Sequence, residues 1–140
     1  MAELFVDTSA WYPLVVGSHP DHEAVADALR AALTAGTRLV TSNLVVMETH
    51  ALLLHRAGRQ VALTFAQTVA QPPTVLVTST PELEEAALTA WLGRYRDQDF
   101  SLADGVSFAI MTSRRISRAL ALDRHFLAAG FDLEPPTGKR

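Results

Sequence analysis

The fold is decided near the start of the chain, by the stretch Glu3-Leu4-Phe5-Val6-Asp7-Thr8-Ser9. Its first four residues are mostly apolar and lead directly into Asp7, a pattern that predicts a short strand buried inside a sheet. Thr8 and Ser9 can then cap a helix that is predicted over 10–16. A buried strand that passes straight into a helix is the building unit of α/β folds with a parallel sheet.

The same alternation of strand and helix continues along the chain. Further strands are predicted at 38–41, 74–78, 119–122 and 131–133. The predicted helices cover about 20–36, 42–58, 59–70, 80–95, 101 to beyond 111, and 124–129. This order predicts an α/β fold, a three-layer α/β/α sandwich around a mainly parallel sheet of four or five strands. In such folds, ligands bind beyond the carboxyl ends of the strands.

The composition suits one folded domain. The chain has 140 residues, of which 49% are apolar and 19% charged, and no linker or repeat divides it. We therefore expect a single domain over residues 1–134 and a short polar tail over 135–140. There is no cysteine, no basic and apolar leader, and no apolar run of about 18 residues. These features fit a cytoplasmic protein without disulfides or a membrane span.

The net charge of −3 does not by itself indicate a nucleic-acid binder, but the basic residues are unevenly distributed. Half of the 12 Lys and Arg residues lie after residue 111. Such a basic end can contact phosphate groups, although a solvated helix end explains part of it equally well. The candidate phosphate contacts are Arg94, Arg96, Arg114, Arg115, Arg118 and Arg124.

Four acidic residues stand where this topology would bring them together. Asp7 and Asp123 each follow a predicted strand, Glu48 lies one turn into the helix after the second strand, and Asp104 lies in the first turn of the helix that Ser101 opens. Because parallel strands end at one edge of the sheet, the four carboxylates would converge there. Their mutual repulsion calls for a counter-charge, and Mg²⁺ with its oxygen ligands is well suited to that role in phosphoryl transfer.

Each acid also has an ordinary structural explanation. Asp7 can start an Asx-turn, Glu48 can be an exposed helix residue, Asp104 can complete a capping box with Ser101, and Asp123 can cap the helix at 124–129. A zinc hydrolase is disfavoured, because no His-Glu-x-x-His motif is present. Only His19 and His22 approach ligand spacing, and we expect that pair in a surface turn.

Four stretches of the sequence can be compared with known families. They are Phe5-Val6-Asp7-Thr8-Ser9, Thr41-Ser42-Asn43 through Met47-Glu48, Asp99-Phe100-Ser101-Leu102-Ala103-Asp104-Gly105-Val106-Ser107-Phe108 and Leu120-Ala121-Leu122-Asp123-Arg124-His125-Phe126. Through these stretches the chain resembles the PIN domain, and within it the VapC ribonuclease toxins of prokaryotic toxin–antitoxin pairs. The resemblance covers nearly the whole chain, in order and at the usual spacing.

The resemblance implies a metal-dependent endoribonuclease. Asp7, Glu48, Asp104 and Asp123 match the family's acidic quartet, which would bind one or two Mg²⁺ or Mn²⁺ ions, with Asp7 and Asp104 as the main ligands. Metal-activated water would then cleave an RNA phosphodiester in tRNA or rRNA. The resemblance also implies a VapB-type antitoxin and a homodimer. Two further residues are candidates for support, namely Ser9, which would orient the first acid, and Asp99, for which a structural role is the alternative.

Two other functions are alternatives to the nuclease. The first is a catalytically inactive PIN-like module that binds RNA or protein, which the intact acidic quartet argues against. The second is a phosphatase or a receiver domain, but Asp7-Thr8-Ser9 lacks the Asp-x-Asp of the former and the only lysine, Lys139, lies in the tail. The apolar segments 44–55 and 61–69 either belong to the core or line a groove for an antitoxin helix or a dimer contact.

Overall fold

The computed structural model describes residues 2–136, and within them five strands form one parallel sheet. The strands are β1 (Glu3–Val6), β2 (Arg38–Ser42), β3 (Thr74–Val77), β4 (Arg118–Leu120) and β5 (Asp132–Glu134). Their spatial order is β3-β2-β1-β4-β5, so the first strand of the chain is the central one. The predicted α/β fold is confirmed, and every predicted strand is present to within two residues. Residues 137–140 of the predicted tail lie outside the described part of the chain.

The helices of the described residues pack in two groups. In the first group α1 contacts both α2 and α3, and α3 contacts α4, whereas α5, a π-helix and α6 form a second packed group. Their bounds are α1 (Thr8–Val15), α2 (His22–Thr34), α3 (Asn43–Arg56), α4 (Arg59–Thr68), α5 (Pro81–Ala86), the π-helix (Ala87–Leu92), α6 (Leu102–Arg114) and α7 (His125–Ala128).

The central strand β1 is buried along its apolar length. Leu4, Phe5 and Val6 are fully inaccessible to solvent, as the continuous apolar run predicts for a central parallel strand. The ring of Phe5 contacts that of Phe126, which in turn meets Phe108 edge to face. The core therefore fixes the point at which the chain leaves β1 and turns into Asp7.

The helix predicted at 80–95 is wrong in its second half. The α-helix ends at Ala86 and continues as a π-helix, in which the Gly93 N–H donates to Leu88 O five residues earlier (2.8 Å). This segment packs very closely on α6 at Gly105, where a Cβ atom would lie 2.9 Å from the Ala87 Cβ. Glycine is needed there because any side chain would force the two helices apart.

Two element ends differ from the prediction, and Ser9 makes hydrogen bonds at both. Strand β4 ends at Leu120, two residues early, and the N-cap of α1 is Asp7 rather than Thr8 or Ser9. The N–H groups of Leu122 and Asp123, which a longer strand would direct to a neighbour, donate instead to the Ser9 hydroxyl. A side chain of α1 has thus replaced a strand partner.

At the amino ends of the strands, Glu3 links β1 to β2 and α6. Arg114, at the end of α6, donates to both carboxylate oxygens of Glu3 (3.0 and 2.8 Å), and Arg38 of β2 donates to one of them (2.8 Å). The hydrogen bond from Arg114 is the main cause that lowers the pKa of Glu3. Three elements are therefore linked at the amino ends of the strands, far from the carboxyl edge where Asp7 begins.

Candidate active site

Four acidic residues follow the carboxyl ends of β1, β2 and β4 or open a helix beside them. Asp7 directly follows β1, Asp123 lies between β4 and α7, Glu48 lies in α3 after β2, and Asp104 is the third residue of α6. Asp7 is buried, Asp104 and Asp123 are half-buried, and Glu48 is exposed. The site thus runs from the interior to the surface, which gives solvent and a ligand a way in.

Asp7 is the buried member of the group. Its Oδ2 accepts hydrogen bonds from the backbone N–H of Ser9 (3.1 Å) and from the Ser9 hydroxyl (2.7 Å). Burial nevertheless raises the pKa of Asp7 to about 6, and the negative charges of Asp123 and Glu48 add to the rise that the Ser9 hydrogen bonds oppose. The charged form is therefore costly in the absence of a cation.

The Ser9 hydroxyl connects the first acid to the last one. While it donates to Asp7, its oxygen accepts the N–H groups of Leu122 (2.9 Å) and Asp123 (3.2 Å). These partners lie more than one hundred residues later in the chain. A single hydroxyl therefore ties the end of β1 to the loop after β4 and brings Asp123 to the side of Asp7.

The buried side chains of Thr8 and Thr49 position Glu48. The Thr8 hydroxyl donates to Glu48 Oε1 (3.0 Å) and lies 3.0 Å from the hydroxyl of Thr49, which also bonds Val45 O (2.8 Å). Thr8 is 7% exposed and Thr49 is not exposed at all. An exposed glutamate is thus attached to a rigid polar contact between α1 and α3.

Asp104 and Asp123 meet at His125. Asp104 Oδ2 accepts from the Ser101 N–H (3.1 Å) and from His125 Nδ1 (3.0 Å), and Asp123 Oδ1 accepts the backbone N–H of His125 (2.9 Å). Ligand atoms of Asp104, Asp123 and His125 lie within 4.8 Å of one another. Ser101 and Asp104 also form the full capping box of α6.

All four acids share one feature that bears on a cation. In each, one carboxylate oxygen accepts hydrogen bonds from the protein, and within residues 2–136 the other oxygen accepts none. The free oxygens are Asp7 Oδ1, Glu48 Oε2, Asp104 Oδ1 and Asp123 Oδ2. Hard divalent cations prefer oxygen ligands of this kind, so the chemistry of these acids suits such an ion. Of the four acids, Asp104 and Asp123 belong to the group of ligand atoms within 4.8 Å of one another.

Several predicted residues lie apart from this group. Asp99 is exposed in the loop before α6 and makes no hydrogen bond within the described residues. Arg118 pairs with Glu134 (2.6 Å), and Arg114 pairs with Glu3 at the other edge of the sheet. In contrast, the described part of the chain offers no hydrogen-bond or ion-pair partner to the exposed side chains of Arg94, Arg96, Arg115 and Arg124.

His125 is the site residue that the sequence reasoning missed. The zinc-ligand spacing that singles out His19 and His22 has no counterpart at His125. The available signal was Asp123-Arg124-His125, an acid at a strand end followed two residues later by a histidine in the first turn of a helix. This spacing lets the backbone and the ring of one residue reach two different acids.

The profile of the PIN domain matches residues 4–132. The chain belongs to the PIN-domain family. It is 35% identical over 128 residues to the 23S rRNA-specific endonuclease VapC20 of Mycobacterium tuberculosis, in strains CDC 1551 / Oshkosh and ATCC 25618 / H37Rv, with 91% of this chain and 95% of the relative covered.

A solved structure supports the same assignment. The crystal structure of Mycobacterium tuberculosis VapC20, described as a sarcin-ricin loop cleaving toxin, matches this PIN domain with a TM-score of 0.81 at 35% identity, over 91% of this chain and 95% of that one. The predicted resemblance to PIN-domain ribonucleases of the VapC type is confirmed. The endonuclease named among the relatives agrees with the predicted enzyme class.

None of the helices in residues 2–136 is long and apolar enough to cross a membrane.

The raised pKa of Asp7 predicts how stability depends on pH when no divalent ion is present. The folded pKa of about 6 exceeds the ordinary 3.8, so the folded state retains its proton where the unfolded chain has lost it. The contribution of Asp7 to the free energy of unfolding is complete below pH ~4 and is lost as the pH rises through ~6, by about 3 kcal/mol at most.

Urea unfolding in EDTA across pH 4 to 7.5 measures this effect. Asp7→Asn does not titrate, so its free energy of unfolding should rise relative to wild type between pH ~4 and ~6 and then run parallel to it. Asp99→Asn, a change at an exposed acid that lies apart from the four, is the control. A difference between Asp7→Asn and wild type that stays constant over this range would contradict the prediction.

Proposed function

We propose that this PIN domain is an endoribonuclease toxin that hydrolyses RNA phosphodiesters with Mg²⁺, or Mn²⁺, bound by Asp7, Glu48, Asp104 and Asp123. The observation that carries the proposal is the free oxygen on each of the four carboxylates at one open edge of the sheet. Each acid is fixed by one oxygen and available through the other, which is the preorganisation that a catalytic metal site requires.

We assign the two least exposed acids as the main ligands. Asp7 is 8% exposed, and the side chain of Asp104 is 15% exposed against 35% for that of Asp123. Donors from the starts of α1 and α6 also fix the Asp7 and Asp104 carboxylates. Glu48 and Asp123 add charge at the open side. When bound, a divalent ion activates water and polarises a phosphoryl oxygen. Burial, and to a smaller extent the charges of Asp123 and Glu48, raise the pKa of Asp7, and a cation held beside it would favour its ionised form.

Ribosomal RNA is the substrate class that we favour for this chain. The support is the printed activity of the relatives, a 23S rRNA-specific endonuclease, at 35% identity over almost the whole chain. Contacts to RNA are proposed for Arg94, Arg96 and Arg124, whose guanidinium groups have no partner within residues 2–136, and phosphate contacts commonly position such substrates. The ion pairs of Arg114 and Arg118 favour a structural role for those two residues. We do not include Arg115 among the proposed RNA contacts, because it directly follows Arg114 at the end of α6 that lies away from the acids.

Cleavage of RNA by purified variants tests the proposal. Asp7→Asn removes the charge of the buried ligand and should lower cleavage of ribosomal RNA in Mg²⁺ or Mn²⁺ by on the order of 100-fold or more. Asp99→Asn should retain the activity of wild type. Product ends and rates can be followed on a labelled RNA.

Two results would contradict the nuclease. The first is an Asp7→Asn variant that cleaves as well as wild type, which would show that the site is misplaced. The second is a folded wild-type protein that binds RNA but cleaves none with either ion, which would favour the inactive binding module.

We further propose that a VapB-type antitoxin occupies the apolar groove between α1, α2 and α4. The groove encloses about 610 Å³ and is lined by Trp11, Leu14, Leu29, Val61 and Phe65, among others. An apolar helix face fits such a groove. We therefore favour the interpretation that segment 61–69 contributes to an antitoxin-binding groove. The exposed side chains of Met47 and Leu54 on α3 are assigned to the predicted homodimer.

The groove and the dimer surface can be tested with a matched pair of variants. Val61→Asp puts a charge into the groove and should weaken binding of the co-expressed antitoxin about tenfold or more, without loss of RNA cleavage. Leu54→Asp should leave antitoxin binding intact and shift the protein toward the monomer in size-exclusion chromatography. Unchanged antitoxin affinity in Val61→Asp would contradict the assignment of the groove.

A further inference from the structure

His125 contacts two site acids that lie in different elements, and the proposed function does not use it. Its Nδ1 lies 3.0 Å from Asp104 Oδ2 and 3.6 Å from Asp123 Oδ1, and its backbone N–H donates to Asp123 Oδ1 (2.9 Å). An ionised carboxylate only accepts hydrogen bonds, so Nδ1 is the nitrogen that carries the proton in the bond to Asp104.

The imidazole ring is fixed from its other side by the aromatic core. Phe100 meets it edge to face, with 5.3 Å between ring centroids, and Phe100 itself is 7% exposed and packs edge to face on Phe108. The hydrogen bond from the His125 backbone N–H to Asp123 fixes the main chain of His125. The direction of the Nδ1–H bond is thus set by packing that does not depend on Asp104.

Asp104 receives two donors on the same oxygen. The Ser101 N–H reaches Oδ2 as part of the helix cap, and His125 reaches Oδ2 from the loop after β4. The cap alone restrains the carboxylate at one point, whereas the second donor, coming from another direction, fixes its rotation. Oδ1 is then the oxygen that is left free, at the edge where Asp7 and Asp123 also keep one oxygen free.

We propose that His125 is a positioning residue, whose Nδ1–H bond to Asp104 Oδ2 orients that carboxylate so that Oδ1 is presented to the divalent cation. The inference rests on the proposed metal-dependent function and assigns to His125 no contact with RNA or with the cation. The same hydrogen bond places a donor between Asp104 and Asp123, two like charges that would otherwise repel.

Three substitutions separate this role from the alternatives. In Asn, the side-chain N–H₂ takes the place of Nδ1, whereas in Gln it takes the place of Nε2, and Phe keeps the ring but has no donor. If His125 acts through Nδ1, His125→Asn retains the function and His125→Gln does not. If the ring bound a cation or RNA through Nε2, the order would be reversed.

The readout is Mn²⁺ binding to the full chain by isothermal titration calorimetry, without RNA. His125→Phe and His125→Gln should weaken the Mn²⁺ Kd by about 10- to 100-fold, and His125→Asn should stay within about threefold of wild type. In cleavage assays, added Mn²⁺ should restore the kcat of His125→Phe while the KM for RNA is unchanged. His55→Phe, at an exposed histidine without a hydrogen bond in the described residues, is the control and should bind as wild type.

The possible outcomes distinguish a wrong role for His125 from a wrong nuclease function. Tight Mn²⁺ binding by both wild type and His125→Phe, or a better retained affinity in Gln than in Asn, would overturn the role of His125 and leave the nuclease standing. Failure of wild type to bind Mn²⁺ would overturn the proposed function and the inference together. If thermal unfolding in EDTA shows that His125→Phe does not fold, the comparison of Asn with Gln decides.

Discussion

The Ser9 hydroxyl makes three hydrogen bonds on which the geometry of the site depends. It donates to the buried Asp7 and accepts the N–H groups of Leu122 and Asp123, and so it joins the central strand to the loop beyond its neighbour β4. The strand β4 ends early because these N–H groups are already satisfied. The same bonds place Asp123 next to Asp7, whose pKa registers the nearby charge. The Ser9 hydrogen bonds therefore set the local backbone geometry and contribute to the electrostatics of the site, in which burial of Asp7 is the larger effect.

The structural roles of the acids are compatible with their proposed role as metal ligands. Asp7 caps α1, Asp104 completes the capping box of α6, and Asp123 accepts an N–H group at the start of α7. Each of these local roles uses one carboxylate oxygen, so the other stays free for a cation. A helix-capping acid is therefore well suited to bind a metal, because its hydrogen bond to the backbone restrains its side-chain rotamer.

The sequence could predict the part of the site that follows from topology. Parallel strands end at one edge, and this rule alone brought Asp7 and Asp123 together and placed the starts of α3 and α6 beside them. The π-helix was missed because it depends on the close packing of Ala87 on Gly105, a contact between distant segments. Sequence pattern also could not show that Arg114 pairs with Glu3, more than one hundred residues away, or that His125 reaches Asp104. Those facts follow from tertiary distance and not from local periodicity.

A crystal structure of this PIN domain grown with MnCl₂, with anomalous difference density recorded at the manganese edge, tests the proposed metal site. We expect density bounded by the four free oxygens, above all Asp7 Oδ1 and Asp104 Oδ1, with the hydrogen bonds of Ser9 and Ser101 to the other oxygens intact. Manganese bound through Asp7 Oδ2 and Asp104 Oδ2, or density only elsewhere in a protein that cleaves RNA under the same conditions, would contradict it.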